Sequence, residues 1–504
     1  MTIIVQNNTQ TPAPRHLLTV DVPPDTKTDI LLLSMPLTLT DTAWAAGAVL
    51  KAVAVEAGYT CSTVDLNMMT LHWLNHVSCA AKIQDFFWYD KIDEQYQSLL
   101  DYYVNAVLTI IKQHQPTILG MSVFTDFSRT TTLLIAKAVR QHLPNVKIIV
   151  GGSGITTGYL YTPNSHSFGE QMKRDGLADH YILGDAEHSF KELLKNNLNF
   201  PGVDNEQWQQ LNNAEISNLS YPDYSDYNWD LYNLRAIGIT GSRGCVRKCT
   251  FCDYIATWKN YTWRTGDNIF EEMLYQKKQY GISYFQFSDS LINGNMKEYR
   301  RLTYLLSEYN RDHPNDSIWW DSFFILRPKD QFGDDMWKLT AQSGCKMALA
   351  GIETFNDATR FAMGKKFTNK DIDDAIASSI EFQVPLALLL FIGYVTDTQE
   401  IIDEAIEWLD THQHVKQHFT LLFQKSMILL PGSWVEQNQK IMNIELIDPT
   451  NRQKWVNTKT GSTIEIREQW FKQILDHAVD LGYHVINDAD IHKWLEIVLL
   501  RQRL

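Results

Sequence analysis

Twice along this 504-residue chain, continuous apolar runs of about five residues alternate with amphipathic segments of about 12 to 18. A strand that is apolar throughout must be covered on both faces, so the pattern predicts parallel sheets wrapped by helices. The first series starts at Asp29 with "DILLLSMP", "DTAWAAGAVLKAVAVEAGY" and "TCSTVDL". It resumes after an aromatic-rich insertion (Phe86, Phe87, Trp88, Tyr89) and closes with "VKIIVGG" and "ADHYILG" before "DAEHSFKELL". It predicts a doubly wound, Rossmann-like α/β domain over 29–199, behind a Pro-rich flexible arm, 1–28. Residues 200–234, rich in Asn, Asp, Tyr and Pro, read as a linker. The second series, 235–434, runs through "RAIGITG", "SYFQFSD", "SIWWDSFF", "KMALAGIE", "PLALLLFIGY" and "HFTLLFQKSM", each but the last followed by a helical segment. It predicts a partial or full β/α (TIM-like) barrel, whose chemistry gathers at the carboxyl ends of the strands. A smaller C-terminal lobe or cap, 435–504, holds Trp455, Trp470, Phe471 and Trp494.

Composition narrows the function classes. Forty-five Lys and Arg against 59 Asp and Glu leave a net charge of −14, which argues against general nucleic-acid or membrane-surface binding. No uninterrupted apolar run reaches the roughly 18 residues of a membrane span. Six cysteines are too few for a disulfide scaffold. The first thirty residues carry neither a signal-peptide nor a transit-peptide pattern, so a cytoplasmic location is expected.

Three of those cysteines stand together. "GSRGCVRKCTFCDY" places Cys245, Cys249 and Cys252 in a C-x3-C-x2-C arrangement just after the first barrel strand. A loop this short lets three thiolates turn toward one metal centre. A structural zinc site closes with four protein ligands. Between His188 and His313 the chain has no other Cys and no His, so a fourth ligand would come from Asp253 or from far away. Three sulfurs with an open fourth position suit a 4Fe-4S cluster. Cys61, Cys79 and Cys345 read as core residues, since buried Cys behaves as a small hydrophobe.

The loop, with Phe251 before its last cysteine, resembles the cluster loop of radical S-adenosylmethionine (SAM) enzymes. That resemblance implies a 4Fe-4S cluster whose open iron is chelated by SAM, and reductive cleavage of SAM to a 5'-deoxyadenosyl radical. It also implies where SAM contacts lie: Ser288 and Asp289 after the second strand, Glu353 at the end of the fourth for the ribose hydroxyls, and Gly393 beside the adenine. Arg327 and Lys365 are placed for the SAM carboxylate or a substrate anion. Arg243, Arg247 and Lys248 add positive charge beside the thiolates. The Gly-Gly-Glu that many relatives carry after the second strand is absent. The stretch "GCKMALAGIETFNDATRFAMGKK" is similar to the corresponding block of the subgroup that includes methylthiotransferases and cobalamin-dependent enzymes. The extra cluster domain and terminal RNA-binding barrel of the methylthiotransferases are not readable here.

Residues 29–199 resemble the cobalamin-binding domain of one radical SAM subclass. The resemblance implies that Ser122, Gly151 and Gly152, at strand ends, cradle the nucleotide tail of cobalamin. The D-x-H-x-x-G motif whose His ligates cobalt in many cobalamin domains is absent; the loop reads "SMPLTLTD". Some relatives without that His hold cobalamin with no lower protein ligand, and others keep the domain without the cofactor. The expected function is therefore radical SAM chemistry on a small-molecule or peptide substrate, cobalamin-dependent C-methylation first. The alternatives are a cobalamin-independent rearrangement or ring formation and a non-catalytic cluster-binding scaffold. A reductant such as flavodoxin or ferredoxin is the implied partner.

Overall fold

The computed structural model describes residues 27–38, 42–75, 86–87, 94–156, 166–205, 207–232, 234–424, 426–449 and 451–487. The expected arm therefore lies almost wholly outside the described residues, as do Cys79, Trp88, Tyr89 and Trp494. The chain divides into two units, Met1–Gly238 and Ile239–Leu504.

The first unit is built on a parallel sheet of β1 (Ile30–Ser34), β2 (Cys61–Val64), β3 (Ile118–Ser122), β4 (Lys147–Gly151) and β5 (His180–Ile182), in the order β2-β1-β3-β4-β5. Side chains alternate across a strand, and here both faces are dry. Leu31 and Leu33 point into a core with Leu119, Met121, Ile148 and Val150, under the helices Gln97–His114 and Ser128–His142. Ile30 and Leu32 join Ile149 and Ile182 on the other face, against Val53 and Phe190 of the helices Ala45–Glu56 and Ala186–Leu194. This is the doubly wound fold the apolar runs predict. Phe86 and Phe87 of the aromatic insertion are core residues, Phe87 edge-on to Tyr103.

The segment read as a linker is bound into this unit. Asp226 pairs with Lys51 at 2.7 Å, the Tyr227 hydroxyl donates to the Trp44 carbonyl at 2.6 Å, and the Tyr232 hydroxyl donates to Asp65 at 2.7 Å. Its Asp and Tyr residues are there because Lys51 and Asp65 are buried polar groups that need partners.

The second unit contains a seven-stranded sheet that begins with β6 (Ala236–Ile239), where the division of the chain falls. Its later strands are β9 (Tyr284–Phe287), β10 (Trp319–Phe324), β11 (Cys345–Glu353), β12 (Leu386–Phe391), β13 (Phe419–Gln424) and β16 (His484–Asn487), in the order β16-β13-β12-β11-β10-β9-β6. Every ladder from β9 to β16 is parallel. With β6 and β16 as its two ends, the barrel is partial. Met347, Leu349 and Ala387 form an apolar cluster on one face, joined by Leu389 and Leu422.

The tail expected as a separate cap instead supplies the seventh strand, by way of the helix Ile464–Asp480. In β16 only Ile486 is fully buried, so its apolar signal is too short to stand out from its polar neighbours. Two small antiparallel pairs complete the unit, β7 (Ser242–Arg243) with β8 (Thr262–Trp263), and β14 (Ile444–Leu446) with β15 (Trp455–Asn457). Cys61 and Cys345 are buried and unpaired.

Candidate active site

The three-cysteine loop leaves the carboxyl end of β6 and is held from two sides. At its entry the Gly241 N–H donates to Asp289 at 2.8 Å, and the Ser242 hydroxyl donates to the other oxygen of the same carboxylate. Asp289 is buried, and loss of water pushes its pKa up to about 7. The neighbouring Ser288 hydroxyl lies 2.9 Å from that of Thr240. Both residues thus stand at the end of β9, where the sequence places them, and Asp289 spends one oxygen on the Gly241 backbone and the other on the Ser242 side chain.

At its far side the loop meets the turn 362–364. Thr250 N–H donates to the Met363 carbonyl at 2.9 Å, and the Thr250 hydroxyl lies 2.7 Å from that of Tyr394. A Cβ on Gly364 would lie 2.9 Å from the Lys248 carbonyl and 3.6 Å from Cys249 Cα, so only glycine allows this approach. Phe251 packs edge-on against Phe391 at 4.9 Å and joins a core with Met363, Tyr394 and Val435. Val435 N–H in turn donates to the Thr250 carbonyl at 2.9 Å.

Cys245, Cys249 and Cys252 are unpaired and half-buried. Burial raises all three thiols above their ordinary range, Cys252 to about 12. Thiols held this way ionise when a metal supplies the compensating charge. Among the described residues no trio of His, Cys, Asp or Glu side chains converges on a single metal ion. Three thiols on one short loop, with no fourth protein ligand beside them in sequence, are the donor set that a 4Fe-4S cluster with one open iron takes. The Arg247 N–H directed at Cys245 Sγ, 3.4 Å away, is the kind of donor that cluster sulfurs accept.

Glu353 ends β11 with a φ of +66°, in the left-handed region, beyond a register slip at Gly351. Its carboxylate pairs with Lys365 at 2.7 Å, and Lys365 Nζ also donates to the Gly351 carbonyl at 2.6 Å. Cys245, Cys249, Cys252, Phe251, Glu353 and Lys365 are therefore gathered around one loop. Arg327 follows β10 and is half-buried, donating to the Asn293 and Gly294 carbonyls at 2.9 and 3.3 Å. Gly393 has a φ of +85°, and a Cβ there would come within 2.7 Å of Arg467 Cγ.

Sequence reasoning missed Tyr394 and Asp397 in the loop after β12, and Arg467, which packs against Gly393. Asp397 accepts the Gly393 and Tyr394 N–H groups at 2.9 and 2.8 Å, and burial lifts its pKa to about 7. Arg467 is fully buried, stacked 3.6 Å over Trp455, and donates to the carbonyls of Ser462, Gln453 and Trp455. No motif marks an arginine whose partners are backbone carbonyls.

In the first unit the strand order reverses between β1 and β3, and ligands of such sheets bind in the crevice at that point. Ser122 ends β3 opposite Ser34 on one side and Gly151 on the other. A Cβ on Gly151 would meet nothing nearer than 3.7 Å, so its backbone is open on that side. Gly152 is different. With a φ of +104°, its Cβ would collide with Val123, the carbonyl carbon at 3.0 Å. Phe124, two residues beyond Ser122 at the carboxyl edge of the sheet, is an apolar side chain that is 63% exposed. Asn67 holds the Thr38 backbone at both its N–H and its carbonyl, while Ser34 donates to Asp65 at 2.6 Å. The open backbone at Gly151 and the Ser122 hydroxyl fit the tail of a bound nucleotide. Residues 35–38 of the neighbouring loop contain no His to ligate cobalt.

The sequence pattern of the radical SAM superfamily matches residues 239–409. An uncharacterized methyltransferase of Pyrococcus horikoshii is 22% identical over 323 residues, 60% of this chain and 66% of the relative. The anaerobic magnesium-protoporphyrin IX monomethyl ester cyclase of Synechocystis is 22% identical over 283 residues, 53% of this chain and 52% of that protein. The chain thus spans less than two thirds of either curated relative. Among solved structures, the radical SAM methyltransferase TsrM of Kitasatospora setae, with cobalamin and a [4Fe-4S] cluster bound, superposes with a TM-score of 0.62. Its identity is 13%, over 91% of this chain and 92% of that one. The cobalamin-dependent SAM radical enzyme OxsB with aqua-cobalamin bound also scores 0.62, at 14% identity over 87% of this chain and 64% of that one. At such identities the likeness establishes the fold.

Proposed function

Because residues 239–409 of this chain are a radical SAM domain, we propose that it is a cobalamin-dependent radical SAM enzyme that C-methylates an organic substrate. The observation that carries the reading is the clamped loop holding Cys245, Cys249 and Cys252 at the carboxyl end of β6. In this reading the three cysteines hold a 4Fe-4S cluster, which supplies the electron that cleaves SAM. Every other duty falls to the chain. Asp289 fixes the loop entry through Gly241 and Ser242, and Tyr394 with Met363 fixes its middle at Thr250. Phe251 anchors the segment before Cys252 in the core. This bracing keeps the reacting groups in one arrangement, which is the protein's main contribution to cofactor chemistry.

Glu353 is assigned to the SAM ribose, Ser288 and Arg327 to its methionine end, and Gly393 to the adenine. Ser122, Gly151 and Gly152 are assigned to the cobalamin tail, with Gly152 acting through the backbone turn that its missing side chain permits. The electron comes from a low-potential donor of the flavodoxin or ferredoxin type, and the reaction belongs in a reducing cytoplasm. No helix among the described residues is long and apolar enough to cross a membrane.

A second reading, radical ring formation without methyl transfer, is favoured by the similarity to the Synechocystis cyclase. Anaerobic expression with cobalamin, iron and sulfide reconstitution, and metal analysis separate the two. Methylation predicts about four irons and one corrinoid per chain, with iron lost in Cys249→Ala. Four irons without corrinoid favour the second reading. Iron absent after reconstitution, or no 5'-deoxyadenosine from SAM under reduction, refutes both.

A further inference from the structure

Lys365, far from the cysteine loop in sequence, is tied to it by its two preceding residues. It follows Gly364, whose backbone lies against Lys248 and Cys249, and Met363, which accepts the Thr250 N–H. Its ammonium and the Glu353 carboxylate are each only 14% exposed and 2.7 Å apart. Gly351 makes room for the pair: a Cβ there would sit 2.5 Å from Glu353 Oε1 and 3.0 Å from Lys365 Nζ. The register slip between Gly351 and Glu353, with Glu353 at positive φ, sets the carboxylate where it meets Lys365. Such a backbone persists only where surrounding structure enforces it.

The ammonium acts on the cysteines as well as on its partner. Desolvation disfavours its charge, yet the Glu353 carboxylate and the Cys249 and Cys245 sulfurs together leave its pKa raised. A partly buried cation is weakly screened, so its field reaches the loop where that of exposed Lys248 is damped by water.

We propose that Lys365 is a positioning charge that makes a cluster on Cys245, Cys249 and Cys252 easier to reduce, and that Glu353 holds it in place and partly offsets it. The inference rests on the cluster reading of these cysteines. Reduction adds one electron, from an external low-potential donor, and so one negative charge beside Lys365. A positive neighbour stabilises that charge and a negative neighbour opposes it. The two members of the pair therefore have opposite effects, which a purely structural ion pair would not.

The test is a spectroelectrochemical titration of the reconstituted, SAM-free protein, with the reduced cluster read by electron paramagnetic resonance. Omitting SAM keeps any ribose contact of Glu353 out of the measurement. Lys365→Met is expected to lower the reduced-to-oxidised ratio at a fixed potential about tenfold, a midpoint about 59 mV more negative for a one-electron couple. Glu353→Gln is expected to raise that ratio several-fold, and Lys365→Arg to leave it within twofold of the parent. If Lys365→Met loses its iron, Glu353→Gln still decides the sign. The proposal is overturned if, with iron content intact, Glu353→Gln shifts the ratio downward or by less than twofold, or if Lys365→Met leaves it unchanged. Failure of the parent protein to bind about four irons would instead remove the cluster reading beneath it.

Discussion

Asp289→Asn is the substitution whose consequence the structure specifies most completely. The carboxylate is buried, accepts from Gly241 N–H and the Ser242 hydroxyl, and has a pKa raised from 3.8 to about 7 by loss of water. A folded-state pKa above the unfolded one means that the native state holds a proton the unfolded chain has released. Stability from this group therefore falls as pH rises from about 4 to about 7 and stays low above that. At about 1.4 kcal/mol per pH unit, the ionised native state costs about 4 kcal/mol. Asparagine keeps an oxygen for Gly241 and presents an amide donor to the Ser242 oxygen, with no charge to desolvate. Asp289→Asn should be more stable than the parent by about 2–4 kcal/mol at pH 8 and by about 1 kcal/mol at pH 4.5. Asp289→Ala leaves the buried Gly241 N–H unpaired, at about 1–3 kcal/mol, and leaves the Ser242 hydroxyl only its long bond to the Leu291 carbonyl at 3.4 Å, so it should be less stable than the asparagine variant at both pH values. Urea denaturation of the metal-free protein under reducing conditions, on either side of the isoelectric point near 5.5, measures this. An asparagine variant no more stable than the parent at pH 8, or equally favoured at both pH values, refutes the reasoning.

Gly152→Ala forces a Cβ into the Val123 carbonyl at a φ of +104° and should cost about 2 kcal/mol or more, seen as a lower thermal midpoint of the first unit. Gly151→Ala, with no atom nearer than 3.7 Å, should be close to neutral in the same experiment. Arg467→Met strips the donors from three backbone carbonyls and should destabilise by about 3 kcal/mol. Arg467→Lys should not rescue it, because an ammonium lacks the planar guanidinium stacked on Trp455; urea midpoints of both variants decide. Phe251→Ala removes the edge-on contact with Phe391 at about 2–3 kcal/mol of loop anchoring and should lower iron retention during anaerobic gel filtration. Unchanged iron retention would show that the backbone bonds at Thr250 suffice.

Much of the fold was legible because parallel strands are dry on both faces. "DILLLSMP" and "PLALLLFIGY" advertise buried strands by composition alone, and the observed β1 and β12 lie within them. Where burial is brief the signal fails, as in β16, which the sequence leaves inside a cap. The Tyr- and Asp-rich stretch 200–234 was misjudged for a related reason. Its polar residues look solvated in one dimension, whereas Asp226 and Tyr232 serve buried partners, Lys51 and Asp65, more than 150 positions away.

The cysteine trio, its spacing and its place after a strand are local facts, and the sequence by itself determines them. So are the strand-end glycines and the Glu353 that closes an apolar run. Which of these side chains face each other is decided only by tertiary structure. Asp289 turns to the loop backbone, Glu353 turns to Lys365, and Gly152 makes room for Val123 while Gly151 stays open. The physical reason is that a buried polar group takes whichever partner the packing brings within about 3 Å, and neither Gly241 nor Lys365 is a neighbour in sequence of the carboxylate it serves. Local pattern specifies the elements and their chemistry, and the parallel sheet, by placing every strand's carboxyl end on one edge, specifies who meets whom.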